Sequence, residues 1–228
     1  VRLMDGLQQR AYKQMEKEMV AEFAGGNEVA APVVIAQITR LKQLAVSPAL
    51  LGGEDESAKL DAMMEIIESA GDQKVVVFSQ FAEAIKLASK RLEAKGIGHG
   101  ILIGEVKAEE RAKNIDKFQS DPDCKVFLAS IQAGGVGITL TSASIAIFLD
   151  KHWTPAINNQ AADRLHRIGQ ENPVTIIELI AEGTVEEWIE ELLKDKSDTF
   201  DSLIDGKVTG IKDILSTISN KAKGRDKV

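Results

Sequence analysis

Lys74-Val-Val-Val-Phe-Ser79 is a continuous apolar run rich in β-branched residues. A strand that alternates apolar and polar residues has one face in water. A strand without alternation is buried on both faces, as in a parallel sheet covered by helices. The segments that follow keep this reading. A helix is predicted from Phe81 to Lys95, closed by Gly96, and then a strand HGILI over 99–103. Ala108 to Gln119 is predicted helical, with Ala112, Ile115 and Phe118 on one side. KVFLA (125–129), SIAIFL (144–149) and VTIIELI (174–180) are three further strands. Strands alternating with helices imply an α/β fold, with five or more parallel strands and helices on both faces.

Upstream of Lys74 the texture is helical. Leu7, Ala11, Met15, Met19 and Phe23 recur at steps of four, and Gly25-Gly26 ends that stripe. A second helix runs from Val34 to Ala45, with Ile38 and Leu41 inward, and Ser47-Pro48 stops it. Ser57 is predicted to cap a third helix, which carries Leu60, Met63, Met64 and Ile67. Downstream, Thr184-Val-Glu-Glu187 reads as a capping box opening a last helix. The tail from Lys221 reads as frayed. The expected organisation is a helical extension over 1–70, an α/β domain over 71–183, and a brace helix with tail over 184–228.

The 228 residues carry a net charge of −7, which argues against coating nucleic acid by bulk charge. A nucleic-acid contact would be a local patch or a backbone-amide site. One cysteine, Cys124, excludes a disulfide within the chain and fits a reducing compartment. No apolar run reaches the roughly 18 residues of a membrane span. The chain starts at Val1 without an initiator methionine and reads as a piece of a longer protein.

Ligands of open α/β sheets gather at the carboxyl ends of the strands. Ser79-Gln80, Gly104, the segment SIQAGGVGITLTSA (130–143), and Asp150, His152 and Trp153 occupy those places. The glycines of Ala133-Gly-Gly-Val-Gly137 let backbone amides approach a phosphate, or form a plain tight loop. Thr154-Pro155 is predicted to open a helix, with the threonine hydroxyl as cap. That helix carries QAADRLHRIGQ (160–170) and ends at Gly169. On it Ile157, Ala161, Leu165 and Ile168 form an inward stripe, and Gln160, Arg164 and Arg167 a second one roughly 90° around. Paired guanidiniums present permanent charge and planar forks that suit phosphate oxygens. They also suit a solvated edge paired with Asp163. No GxxxxGK[ST] loop and no acidic metal-binding motif is present, and no Cys or His cluster suggests a metal.

Taken together, KVVVFSQF, KVFLAS, SIQAGGVGITLTSA and DKHWTPAINNQAADRLHRIGQ resemble the second motor lobe of the Swi/Snf family of superfamily-two helicase-like ATPases. TRLKQLAVSPALL, SAKLDAMMEII and EGTVEEWIEELLKDK are similar to its flanking helices. Thr139 departs from the Asn often found there; Val46-Ser47-Pro48 replaces the usual Asn-His-Pro, and that replacement favours a bacterial, archaeal or viral origin. The resemblance implies a RecA-like lobe that completes an ATP site. Its catalytic residues are Arg164 and Arg167 as arginine fingers, with Gln160 nearby, and Gly135, Gly137 and Asp163 line the cleft. Ser79, Gln80, Gly104, Ser130, Gly134, Thr139 and Thr141 would meet double-stranded DNA. ATP and Mg²⁺ would be held mainly by an N-terminal ATPase lobe of the same polypeptide, in a DNA translocase. The fragment is expected to be monomeric and cytoplasmic, or nuclear if eukaryotic. Two alternatives stand beside this: a non-catalytic DNA-binding or scaffold module, and a Rossmann-type transferase using GGVG for a nucleotide. On the first reading, this chain alone hydrolyses no ATP and binds duplex DNA weakly and with strong salt dependence. A titration at low salt checks this, and nanomolar affinity would contradict it.

Overall fold

The computed structural model describes residues 1–3, 6–24, 31–134 and 137–194. The expected stop at Gly25-Gly26, the site residue Gly135 and the tail from Lys221 lie outside the described residues. The chain divides into two compact units. One comprises Val1 with 58–180, the other 2–57 with 181–228.

The first unit holds helix α3 (Ala58–Ser69) and strand β1 (Lys74–Ser79), then α4 (Ala82–Ala94), β2 (Gly98–Leu102) and α5 (Ala108–Ser120). It continues with β3 (Cys124–Ser130), α6 (Ile131–Gly134), β4 (Ala143–Phe148), α7 (Pro155–Ala162) and β5 (Thr175–Glu178). The strands form one parallel sheet in the order β2-β3-β1-β4-β5. The run that predicted burial on both faces is its centre: β1 is flanked by β3 and β4, and Val75 through Ser79 are all buried.

Alternate residues of a strand point to opposite faces. On one face Val76, Phe78, Phe127, Ala129, Ala146 and Phe148 join Phe118 of α5, Leu140, and Ala161 and Leu165 in one apolar cluster. The Phe78 and Phe148 rings stack with centroids 5.1 Å apart. On the other face α4 packs on β1, β2 and β3 through Ala84, Ile85, Ala88 and Leu92. Close approach constrains β2: a Cβ on Gly98 would lie 2.1 Å from the Asp123 carbonyl oxygen, so only glycine fits.

Three expectations change. Helix α3 belongs with the sheet, so the division falls at Ser57/Ala58 and not after residue 70. Lys59 ties α3 to the sheet: its buried ammonium donates to the Leu149 carbonyl at 2.6 Å, just past the end of β4. The fifth strand is only four residues long and mostly exposed, because it is the sheet edge and pairs with β4 alone among the described residues. Ala112 of α5 is exposed, whereas Phe118 is buried.

The second unit contains α1 (Leu7–Ala24), α2 (Ala31–Val46), a 3₁₀ turn (Pro48–Leu51) and α8 (Val185–Lys194). Ser47 and Pro48 do end α2, and the Ser47 hydroxyl caps the following turn by accepting from Ala49 N–H at 3.2 Å. The buried face of α1, however, is Gln8, Tyr12, Glu16 and Met19, while Leu7 is exposed. Helix ends leave backbone groups unpaired, and burying them without partners is costly. Gln8 Nε2 donates to the carbonyls of Leu44, Ala45 and Val46 at 3.1–3.3 Å, closing α2. The Tyr12 hydroxyl accepts from Val185 N–H at 2.6 Å, opening α8. Apolar periodicity alone rotates α1 by about one residue because it gives these polar side chains no inward role. The Thr184 box is partly formed: its hydroxyl accepts from Glu186 N–H at 3.2 Å, but Glu187 reaches Gly183 N–H.

Among the described residues, no helix is long and apolar enough to cross a membrane. Gln8→Leu removes a donor from three buried carbonyls and is expected to cost about 1–3 kcal/mol. Tyr12→Phe is expected to cost about 1 kcal/mol. Urea denaturation of both variants measures this.

Candidate functional site

The structure sorts the expected site residues into two clusters at opposite edges of the sheet. Ser79, Gln80, Gly104 and Ser130 lie at the carboxyl edge, directly after β1, β2 and β3 or at their last residue. Thr139 and Thr141 do not. Ala143 pairs with Lys74 at the first residue of β1, so the segment leading to it stands at the amino edge. A six-residue strand separates the two edges by roughly 17 Å.

At the carboxyl edge the organising group is Asp150, which is 2% exposed. Its carboxylate accepts from the Ser79 hydroxyl and, at 3.1 Å, from Gln80 N–H. Gln80 Nε2 donates to the Lys151 carbonyl at 3.1 Å, and Ser79 Oγ accepts from Phe81 N–H at 3.0 Å. Ser79 is fully buried. In this structure its hydroxyl shapes the strand end and does not face solvent. Ser130 also turns inward and accepts from Ala133 N–H at 3.3 Å, starting α6. Gly104 is exposed, with open space around its Cα. Arg111 fixes its loop, donating to the Gly104 carbonyl at 3.0 Å and the Val106 carbonyl at 2.7 Å. Helix α7 begins at Pro155 as expected, but the Thr154 hydroxyl makes no cap bond. Asn158 instead ties the helix to the loop before it. It accepts from His152 N–H at 2.7 Å and donates to the His152 carbonyl at 2.8 Å.

The arginine segment departs from expectation most. The helix that begins at Pro155 stops at Ala162, so Arg164 and Arg167 stand on turns beyond it and share no helical face. Arg164 N–H and Leu165 N–H reach back only three residues, to Ala161 and Ala162, at 3.2 and 3.0 Å. Past the helix end, two carbonyls find partners outside any helix. The Arg164 carbonyl accepts from Leu140 N–H at 3.0 Å, and the Leu165 carbonyl from Gln170 Nε2 at 3.2 Å. Gly169, at φ 103°, takes a backbone conformation that suits glycine. Leu165 stays in the core, whereas Ile168, expected to pack on the sheet, is fully exposed. Gln160 and Asp163 are exposed on and just after α7.

The two arginines are thus unequal. Arg164 is 7% exposed, and Arg167 lies in solvent with one N–H 3.5 Å from the Gly137 carbonyl. Burial first, and the Arg167 charge second, push the Arg164 guanidinium below its usual range, against a smaller pull from Asp163. Two like charges held together are relieved by an incoming anion. The segment facing them is gripped by two glutamines. Gln119 at the end of α5 bonds Thr139 and Ser142, and Gln170 Nε2 donates to the Ala143 carbonyl at 2.7 Å. Spacing offered no sign of Asp150, Asn158, Gln119 or Gln170 as holders of the site, except that Asp150 follows a buried strand. Cys124 is buried and its thiol raised by that burial, as an inert cysteine would be.

Residues 58–169 match the helicase conserved C-terminal domain. The chain is 37% identical over 154 residues to the chromatin-remodelling ATPase INO80 of Vanderwaltozyma polyspora, covering 67% of this chain and 10% of that protein. The SWI2/SNF2 ATPase C-terminal domain of Sulfolobus solfataricus superposes with a TM-score of 0.69 at 33% identity, over 83% of this chain and 80% of that one. The S. solfataricus SWI2/SNF2 ATPase core solved with double-stranded DNA gives 0.76 at 32% identity, over 91% and 45%.

Asp150→Ala leaves the Ser79 hydroxyl and the Gln80 N–H without their acceptor. The expected loss is about 1–3 kcal/mol in denaturant, with faster amide exchange at Gln80. Unchanged exchange there would mean that Asp150 does not hold this strand end.

Proposed function

This chain belongs to the SWI2/SNF2 ATPase family as its RecA-like C-terminal lobe, and from that premise we propose that it completes the ATP site of a duplex-DNA translocase. The observation that carries the proposal is the exposed Arg167 guanidinium beside the Gly137 carbonyl, backed by the buried Arg164. A phosphoryl-transfer transition state spreads negative charge over oxygens that positioned cations stabilise. The cationic donor set suits phosphate oxygen. Arg167 approaches the terminal phosphate from solvent, and Arg164 supplies fixed charge from the turn beneath it. Gln160 and Asp163 are exposed near these arginines in the chain, Gly137 is exposed beside Arg167, and all three belong to the proposed cleft. An N-terminal lobe of the same polypeptide would hold ATP, whose terminal phosphate bond is the one to be broken, and Mg²⁺ would neutralise its phosphates there.

The DNA surface of the proposal draws on exposed Gly104 and on Gln80 at the carboxyl edge. Thr139 and Thr141 stand with the arginines, and Gly134 closes α6. Asp150 and Ser79 serve this surface by holding Gln80 and its loop. Salt-dependent contact with the DNA backbone is the expected binding mode, since the net charge of −7 leaves only local patches for it.

Arg167→Ala in the full-length protein is expected to lower DNA-stimulated ATP turnover by on the order of 10³-fold, with ATP affinity nearly unchanged. Arg164→Ala lowers it too, with an added loss of stability because a buried side chain is removed. Steady-state hydrolysis and nucleotide titration check both, and near-normal turnover in Arg167→Ala would sink the assignment.

A further inference from the structure

We infer that Gln119 is a positioning residue that sets where Arg164 stands, an inference that rests on the function proposed above. Gln119 is the second-last residue of α5, more than forty residues before Arg164 in the chain. Its Nε2 donates to the Thr139 carbonyl at 2.7 Å and its Oε1 accepts from Ser142 N–H at 3.1 Å. One partner is a carbonyl and the other an N–H, so only one orientation of the amide satisfies both. The side chain therefore spans a turn and grips it at both ends. Between those grips lies Leu140, fully buried, whose N–H donates to the Arg164 carbonyl at 3.0 Å.

The base of this grip is packed and hydrogen-bonded. The neighbouring Phe118 is buried in the core with its ring 5.2 Å from that of Phe127. Lys74 Nζ ties the end of α5 by donating to the Phe118 carbonyl and, at 2.8 Å, to the Asp121 carbonyl. With the backbone held, the length and polarity of the side chain decide where the Thr139–Ser142 turn sits. Asparagine is one methylene short, glutamate offers no donor to Thr139, and leucine offers neither bond. The contact is made by backbone atoms on the Arg164 side, so it survives removal of the guanidinium. That property separates a residue acting through Arg164 from one acting on its own.

The test uses Gln119→Leu and Gln119→Glu in the full-length protein, the second retaining shape should the first fail to fold. Both are expected to speed amide exchange at Leu140 at least tenfold while β1 and β3 amides stay protected. Both lower the kcat of DNA-stimulated hydrolysis about tenfold with the KM for ATP within about twofold, the pattern of a loss confined to the transition state. Combined with Arg164→Ala, either variant adds little to the loss from Arg164→Ala alone. Unchanged exchange at Leu140 overturns the inference. So does a loss that multiplies with that of Arg164→Ala. If the unmodified protein shows no DNA-stimulated turnover, the functional reading falls. Leu140 exchange then decides whether Gln119 holds the Arg164 segment.

Discussion

The hydrogen bond from Leu140 N–H to the Arg164 carbonyl joins two segments that the chain separates by a strand and a helix. Much of the site geometry depends on it. It anchors the chain just after α7 ends at Ala162, where the Arg164 and Leu165 N–H groups turn back only three residues. The turn leaves Leu165 in the core, buries Arg164 and puts Arg167 and Ile168 in solvent. The same bond brings the arginines to the segment that carries Gly137. A continuous helix would have placed both guanidiniums on one side and left Leu140 without this partner.

The molecule repeats this device elsewhere. Backbone groups at the ends of strands and helices are satisfied by polar side chains far away in sequence. Asp150 holds the end of β1, Lys59 the end of β4, Gln8 the end of α2, and the Tyr12 hydroxyl the start of α8. The reason is general. A buried N–H or carbonyl without a partner costs as much as a lost hydrogen bond, and at an element's end the regular ladder has run out. Each such side chain is buried, and each positions a loop or terminus more narrowly than apolar packing could.

Charge works locally against the overall balance. The net charge is −7, yet burial first and the nearby Arg167 charge second push the Arg164 guanidinium below its usual range. Core packing of Leu165 and the Leu140 bond to the Arg164 carbonyl hold the turn through groups other than the guanidiniums.

The sheet was legible because its evidence is local. A strand buried on both faces shows an unbroken apolar run, and KVVVFS proved to be the central strand of five. The family was legible because its motifs lie in order along the chain. The division of the expected site into two edges was not, since a linear sequence does not say that residues 131–142 cross from the end of β3 to the start of β4. The end of α7 and the face of α1 were misread for a related reason. Periodicity counts apolar residues, while these two features follow from backbone groups seeking polar partners. What the sequence determined by itself is the alternation of strands and helices and the identity of the arginines. Which arginine is buried, which is exposed, and which glutamine holds the turn were decided only in three dimensions, where hydrogen-bond partners distant along the chain come within 3 Å.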